Sequence, residues 1–390
     1  MKDNIIHSWE DFLRIVKVDH SINFVAKAVT QWNALSIDAL IFFLQDRGYN
    51  INASIVIAEH HKASYLITES FFTNSCAHYY RLPYSVQKEQ DNNHEAVSGT
   101  RSKIREVIDY YKKVFTFCKI SPSKDILFYS TFYNNTPDAV LLQQLGDFGR
   151  PIVICQTEEG IGGTYLGSFF KLYPSFRELH SFKELHGYIR TVFFGKILYR
   201  KLHTNINSLT FKDTITGLKI NSRILPYYRK AFELRNKKIN IDVEKELIES
   251  SVIICTSSMN RELVKENEDL KVLQKVCENL HTRGYNLLLK PHPRDTFFPT
   301  QIERLHCELL NIPDISLESL CEYAKPLAVI SFASTVLVNP SIFWNIPTFC
   351  ISDMLNSGKI DQFYVDEAVK FKQTFHEFVH FVSSVKEIQI

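Results

Sequence analysis

Tyr285-Asn286-Leu287-Leu288-Leu289-Lys290-Pro291-His292-Pro293 is the stretch on which the fold of this chain turns. The run from Tyr285 to Leu289 is apolar and short, as a buried strand is, and two prolines close it. Each proline fixes its own φ and biases the residue before it away from the helical region. His292 is therefore expected in an extended turn at the carboxyl end of a strand. In open α/β sheets that is the edge at which ligands bind.

Working outward, two other strands end in chemistry. Pro151-Ile152-Val153-Ile154-Cys155 runs through Gln156-Thr157 into Glu158-Glu159-Gly160-Ile161-Gly162-Gly163. Each of two adjacent carboxylates raises the pKa of the other, which suits a general base, and the glycines admit a substrate close to the backbone. Leu327-Ala328-Val329-Ile330 leads through Ser331-Phe332-Ala333 to Ser334-Thr335. Those two hydroxyls stand where a helix begins, so they cap it and lie beside backbone N–H groups that attract an anion. Thr256-Ser257-Ser258, after the strand Ser251–Cys255, is either a nucleotide contact or a structural turn.

The order of Glu158-Glu159-Gly160, His292-Pro293 and Ser334-Thr335 resembles the bacterial sialyltransferases of the GT-B type, the group of lipooligosaccharide sialyltransferases and capsule polysialyltransferases. The resemblance extends from about Ile22 to Ile351. It implies two Rossmann-like, doubly wound α/β domains facing a central cleft. It also implies inverting transfer of sialic acid from CMP-sialic acid to a glycan hydroxyl, with no metal and no other cofactor. Carried over residue by residue, Glu159 is the expected base, with Glu158 as the alternative. His292 is the expected donor to the leaving phosphate. Ser334, Thr335, Lys290, Pro293, Thr256, Ser257 and Gly160 form the donor and phosphate side. The chain departs from the group's pattern in two places. Its acidic pair is Glu-Glu rather than an Asp-containing one, and Pro340 falls inside the helix expected after Thr335, which should kink or shorten it.

Composition narrows the class. A chain of 390 residues, 45% hydrophobic, can bury the cores of two domains of ordinary size. Its eight cysteines, Cys76, Cys118, Cys155, Cys255, Cys277, Cys307, Cys321 and Cys350, contain no CxxC pair and several lie in apolar runs, so they read as buried thiols of a reducing compartment rather than zinc ligands. His60-His61 diverge as strand neighbours do, which argues against a metal pair. No secretory leader and no apolar stretch of about 18 residues is legible. The expected location is the cytoplasm, with peripheral contact at the inner membrane.

Net charge is +2, but Arg190 to Lys238 holds twelve Lys/Arg against Asp213 and Glu233, a net of +10, while the remaining 33 basic and 41 acidic residues net −8. A block so polarised points to an anionic partner: an acceptor glycan, an anionic membrane surface or nucleic acid. Arg229, Lys230, Lys237 and Lys238 are the acceptor-binding candidates. No nucleic-acid recognition module is legible, and the aromatics form no stacking platform, so nucleic acid ranks last.

Strand–helix alternation divides the chain into residues 1–167, an acceptor-side Rossmann-like domain; 168–249, a basic and mostly helical connection; 250–360, a Rossmann-like nucleotide-sugar domain; and 361–390, a C-terminal helix crossing back to the first domain. No GxGxxG or P-loop pattern appears. The rival reading is a related CMP- or CDP-donor transferase, handling Kdo or another nonulosonic acid, or a CDP-glycerol glycerophosphotransferase.

Overall fold

The computed structural model describes residues 4–6, 21–28, 31–58, 71–74, 77–82, 125–129, 152–157, 209–213, 225–256, 264–292, 303–312 and 315–390. These fall into two compact units, divided after Ala231.

The strands of the first unit are β1 (Asn4–Ile6), β2 (Ser21–Ala28), β3 (Asn50–Ala58), β4 (Ala77–Leu82), β5 (Asp125–Tyr129), β6 (Ile152–Thr157) and β7 (Leu209–Asp213). They pair in parallel throughout, in the order β4-β3-β2-β5-β6-β7-β1. The second unit holds β8 (Ser251–Cys255), β9 (Asn286–Lys290), β10 (Glu308–Leu309), β11 (Ala328–Ser331), β12 (Thr348–Cys350) and β13 (His380–Phe381), in the order β10-β9-β8-β11-β12-β13. Both sheets start in the middle, wind outward to one side for two strands, then return to the other side for three. That is the 3-2-1-4-5-6 winding of a dinucleotide-type fold, used twice, with β1 added beyond β7. The chain is an α/β protein of two Rossmann-like units, the GT-B class.

Parallel neighbours need crossovers. Those described are α1 (Gln31–Asp46) after β2, α4 (Glu268–Thr282) after β8, α5 (Leu317–Tyr323) before β11, α6 (Val338–Trp344) after β11 and α7 (Gln362–Phe375) before β13; α2 (Leu225–Asn236) and α3 (Lys245–Glu249) precede β8. α1 and α4 end alike. Gly48 and Gly284 take φ of 83° and 86°, and Tyr49 and Tyr285 donate back to the Leu44 and Leu280 carbonyls at 3.1 and 3.2 Å. Only glycine adopts that left-handed turn without strain, which is why each helix stops there.

β8 is buried over its whole length. Val252 and Ile254 face α4, where Val272, Leu273, Val276, Cys277 and Leu280 form one apolar stripe with Leu287, Leu289 and Ile330. The alternate residues Ile253, Leu288 and Val329 are also fully buried. Strands covered on both faces read as continuous apolar runs, and that made them legible in the sequence.

Two expectations need correction. The segment 168–249 is not one helical connection, because β7 joins the first sheet and α2 is shared out. Tyr228 donates to Ser36 Oγ at 3.1 Å and stacks on Trp32 in the first unit, whereas Phe232 sits 5.1 Å from Trp344 in the second. α4 begins at Glu268, since Glu266 and Asn267 take φ of 56° and 53°, which a right-handed helix cannot contain. Pro340 is the third residue of α6, in the first turn, where a backbone N–H has no intrahelical partner to lose, and α6 is short, seven residues, as the sequence implies. The C-terminal segment is not one helix, and it is counted in the second unit. α7 stops at Phe375, β13 pairs with β12, and the carbonyls of Ile388 and Ile390 accept from Arg283 and Tyr285 at 2.7 and 2.9 Å, all within the second unit.

Candidate active site

The winding of the second sheet reverses between β8, its first strand, and β11, its fourth. Beyond the carboxyl ends of those strands lies the crevice in which doubly wound sheets hold ligands. Strand pairing fixes what arrives there. Cys255 at the end of β8 is level with Lys290 at the end of β9, and Ile330 near the end of β11 is level with Ile254. Thr256, Pro291-His292 and the turn from Phe332 to Thr335 are therefore delivered to one edge. His292 and Ser334 flank Thr256 from opposite sides, two strand spacings or about 10 Å apart.

The turn after β9 is held by one short bond. The backbone N–H of His292 donates to Thr256 Oγ1 at 2.8 Å, and Thr256 itself donates through its N–H to the Lys290 carbonyl at 3.4 Å. Thr256 is buried and His292 half-buried. Pro291 extends the turn, and the threonine hydroxyl fixes its register against β8. Pro293 and Ser257 lie outside the described residues, as do Glu158, Glu159, Gly160 and His60-His61. β6 ends at Thr157, so the acidic pair is the next thing in the chain after a strand of the first sheet.

Lys290 is neither solvated nor displayed. It is 8% exposed and its Nζ donates to the Ile312 carbonyl at 3.4 Å. Its role at this edge is that of a fixed buried positive charge. That charge opposes the burial that pushes the neighbouring Cys255 thiol up to about 12, with Glu318 reinforcing the rise. Cys255 keeps its proton at neutral pH, so this thiol at the end of β8 is not a nucleophile.

The turn after β11 is tied on three sides. Ser331 Oγ donates to the Cys255 carbonyl at 3.0 Å, joining the two strands at the reversal point. The Ala333 N–H donates to Ser352 Oγ at 2.8 Å. Ser334 caps the 3-10 turn Thr335–Leu337, its Oγ accepting the Val336 N–H at 3.4 Å. Ser334 and Thr335 are each half-buried. The helix start is therefore a tight 3-10 turn running into the short α6, and part of its N–H set is already satisfied by Ser334 itself.

The structure thus brings Thr256, Lys290, His292, Ser334 and Thr335 to one edge of one sheet. Arg229 and Lys230, on the first-unit half of α2, and Lys237 and Lys238, just beyond it, are all exposed. Lys230 Nζ lies 4.5 Å from the Phe42 ring centroid, and Lys237 pairs with Glu233 at 2.6 Å. Arg235, counted in the same basic block, is 2% exposed and contributes nothing to a surface field. Sequence reasoning missed Ser331, Ser352 and Tyr364. The rule that carboxyl ends of parallel strands carry the site would have flagged Ser331 and Ser352, since each ends or follows an apolar strand. Tyr364 carries no such signal.

Several solved structures are similar over most of the chain. An alpha/beta-galactoside alpha-2,3-sialyltransferase from Photobacterium phosphoreum shares 12% identity, with 95% of this chain and 100% of that chain covered and a TM-score of 0.47. The UDP-GlcNAc 2-epimerase of Methanocaldococcus jannaschii shares 11% identity, with 94% and 90% covered and a TM-score of 0.49. The E. coli heptosyltransferase WaaC shares 10%, with 85% and 88% covered and a TM-score of 0.41. No curated protein matches the sequence. Sequence family is decided by a different comparison: residues 6–352 match the family described as alpha-2,8-polysialyltransferase (POLYST), and the chain belongs to that family of sialic acid-transferring glycosyltransferases.

Proposed function

We propose that this enzyme transfers sialic acid from CMP-sialic acid to a hydroxyl of an anionic, already sialylated glycan, by a single inverting displacement that needs no metal. The acceptor O–H gives its proton to Glu159, or to Glu158 beside it, as the oxygen attacks the anomeric carbon. The bond from that carbon to the phosphate oxygen breaks, and CMP leaves with the bonding electrons. His292 donates a hydrogen bond or a proton to the departing phosphate. Ser334, Thr335 and the N–H groups at that helix start hold the same phosphate, and buried Lys290 biases the edge toward anions. The observation that carries this reading is the lock on His292: a 2.8 Å bond from its backbone N–H to Thr256, at the reversal point of a nucleotide-type sheet.

The basic residues Arg229, Lys230, Lys237 and Lys238 are assigned to the acceptor. An exposed Lys237–Glu233 pair exchanges readily for a glycan carboxylate, because such pairs are weak in water. Among the described residues no helix is long and apolar enough to cross a membrane. Contact with a membrane carrying a lipid-linked acceptor would be peripheral and would use the same positive charge.

The test is CMP release from CMP-sialic acid in EDTA, with an oligosialylated acceptor, by the wild type and by Glu159→Ala and His292→Ala. Release that survives EDTA and is lost in both variants is the expected result. Absence of release by the wild type, with release from another CMP- or CDP-activated donor, would replace the donor assignment.

A further inference from the structure

The turn that carries Ser334 and Thr335 is not held by its own strand alone. Ser352 follows β12, the strand beyond β11, and is 6% exposed. Its Oγ accepts the Ala333 N–H at 2.8 Å and lies 2.9 Å from the hydroxyl of Tyr364, which is 4% exposed on α7. The Cys350 thiol donates to the same Oγ at 3.6 Å. The Ser352 and Tyr364 hydroxyls share a hydrogen bond in which either oxygen can be the donor. A part-buried N–H one residue before the Ser334-Thr335 pair is thus held by the Ser352 hydroxyl, which is itself tied to Tyr364 on a different helix.

We propose that Ser352 and Tyr364 are positioning residues for nucleotide-phosphate binding: they set the height of the Ala333–Thr335 turn above the sheet, and with it the reach of the Ser334 and Thr335 hydroxyls. This rests on the assignment of that turn to the donor phosphate. The physical case is geometric. Ser331 Oγ anchors the start of the turn to β8 at 3.0 Å, and the N-cap bond organises its end. Ala333, between them, has no side chain with which to hold itself. Without the clasp its N–H either stays without an acceptor or drags the turn toward water. Either outcome displaces the phosphate hydroxyls, which tolerate displacements well below 1 Å.

Three variants separate positioning from simple stability. Ser352→Ala and Tyr364→Phe each remove one oxygen with little change of volume. Ser251→Ala removes a hydroxyl that donates to the Leu247 carbonyl at 2.6 Å, in the same unit but at the amino end of β8, the opposite edge of the sheet. CMP binding by calorimetry, KM for CMP-sialic acid, KM for the acceptor, and the thermal midpoint are read for all three. The expected result is a CMP affinity about tenfold weaker in Ser352→Ala, the equivalent of one hydrogen bond's worth of displacement. KM for CMP-sialic acid should rise in parallel while KM for the acceptor stays at the wild-type value. Tyr364→Phe should give a smaller rise, and the double variant should fall short of the sum, because Tyr364 acts through Ser352. Ser251→Ala should lower the midpoint and leave CMP affinity alone. If Ser352→Ala lowers the midpoint and CMP still binds as to wild type, the proposal is overturned and the donor assignment stands. A wild type that neither binds CMP nor releases it from CMP-sialic acid removes the assignment and the proposal together.

Discussion

Thr256→Val is the most informative single change available in this molecule. It keeps the β-branched shape and deletes only the oxygen that accepts the His292 N–H at 2.8 Å. The magnitude follows from burial. An N–H left without an acceptor costs about 1–3 kcal/mol when buried. Thr256 is 6% exposed, so the new methyl group finds an apolar setting, but His292 is only half-buried and water can reach part of its backbone. The expected loss of folding stability therefore sits at the lower end, about 1 kcal/mol. The catalytic loss should be larger than that figure implies. The bond sets where the imidazole stands relative to the reversal point, and a misplacement of about 1 Å costs on the order of a hundredfold in rate. The assay pairs urea unfolding with CMP release under saturating CMP-sialic acid. A kcat lowered ten- to a hundredfold alongside a small shift of the urea midpoint is the expected outcome. Wild-type kcat together with the stability loss would refute the reasoning and reduce Thr256 to a structural clamp. A raised KM with unchanged kcat would make its hydroxyl a ligand contact instead.

Replacing Arg229, Lys230, Lys237 and Lys238 together by Ala should raise the acceptor KM and its salt dependence and leave CMP binding unchanged; equal loss of both would remove the acceptor assignment. Gly284→Ala should lower stability by about 1 kcal/mol, read as a urea midpoint. A Cβ there meets nothing within 4 Å, so the whole cost comes from a φ of 86°. Burial pushes the Cys255 thiol from 9.0 up to about 12 and Cys350 to about 11. A thiol whose folded-state pKa is raised contributes its full stability below about pH 9 and loses it as pH climbs toward the folded value. The urea midpoint should fall between pH 9 and pH 11, and Cys350→Ala should flatten that fall. Phe232→Ala should cost about 3–5 kcal/mol, because its ring fills the space 5.1 Å from Trp344 and 5.8 Å from Phe343.

Much of the fold was legible because parallel strands buried on both faces read as plain apolar runs. Ser251–Cys255 stands in the structure with the bounds the sequence implies. β7 was illegible for the converse reason. Leu-Thr-Phe-Lys-Asp alternates apolar with polar over five residues inside a basic stretch, and such a signal is no stronger than that of a loop. β13 is only two residues long. The start of α4 was set by two left-handed residues, Glu266 and Asn267, neither of them glycine, held in a turn where Lys359 reaches Glu266 at 3.0 Å. Such a contact spans more than ninety positions and leaves no local trace.

The candidate site divides along the same line. Local chain chemistry alone determined that a histidine pinned by two prolines ends a strand, that an acidic pair with glycines ends another, and that two hydroxyls open a helix after a third. Proline geometry, side-chain pKa coupling and helix capping all act within a few residues, so a linear sequence can display them. Only the tertiary structure decided that Lys290 is buried against the Ile312 carbonyl, that His292 is held from Thr256, and that the Ser334 turn is clasped by Ser352 and Tyr364. Each of those is a hydrogen bond between residues 19 to 36 positions apart, or, for Tyr364, reached through a second residue. The bonds exist because the 3-2-1-4-5-6 winding brings the ends of β8, β9, β11 and β12 to one edge. Strand order is a property of the whole sheet, and no stretch of the chain encodes it by itself.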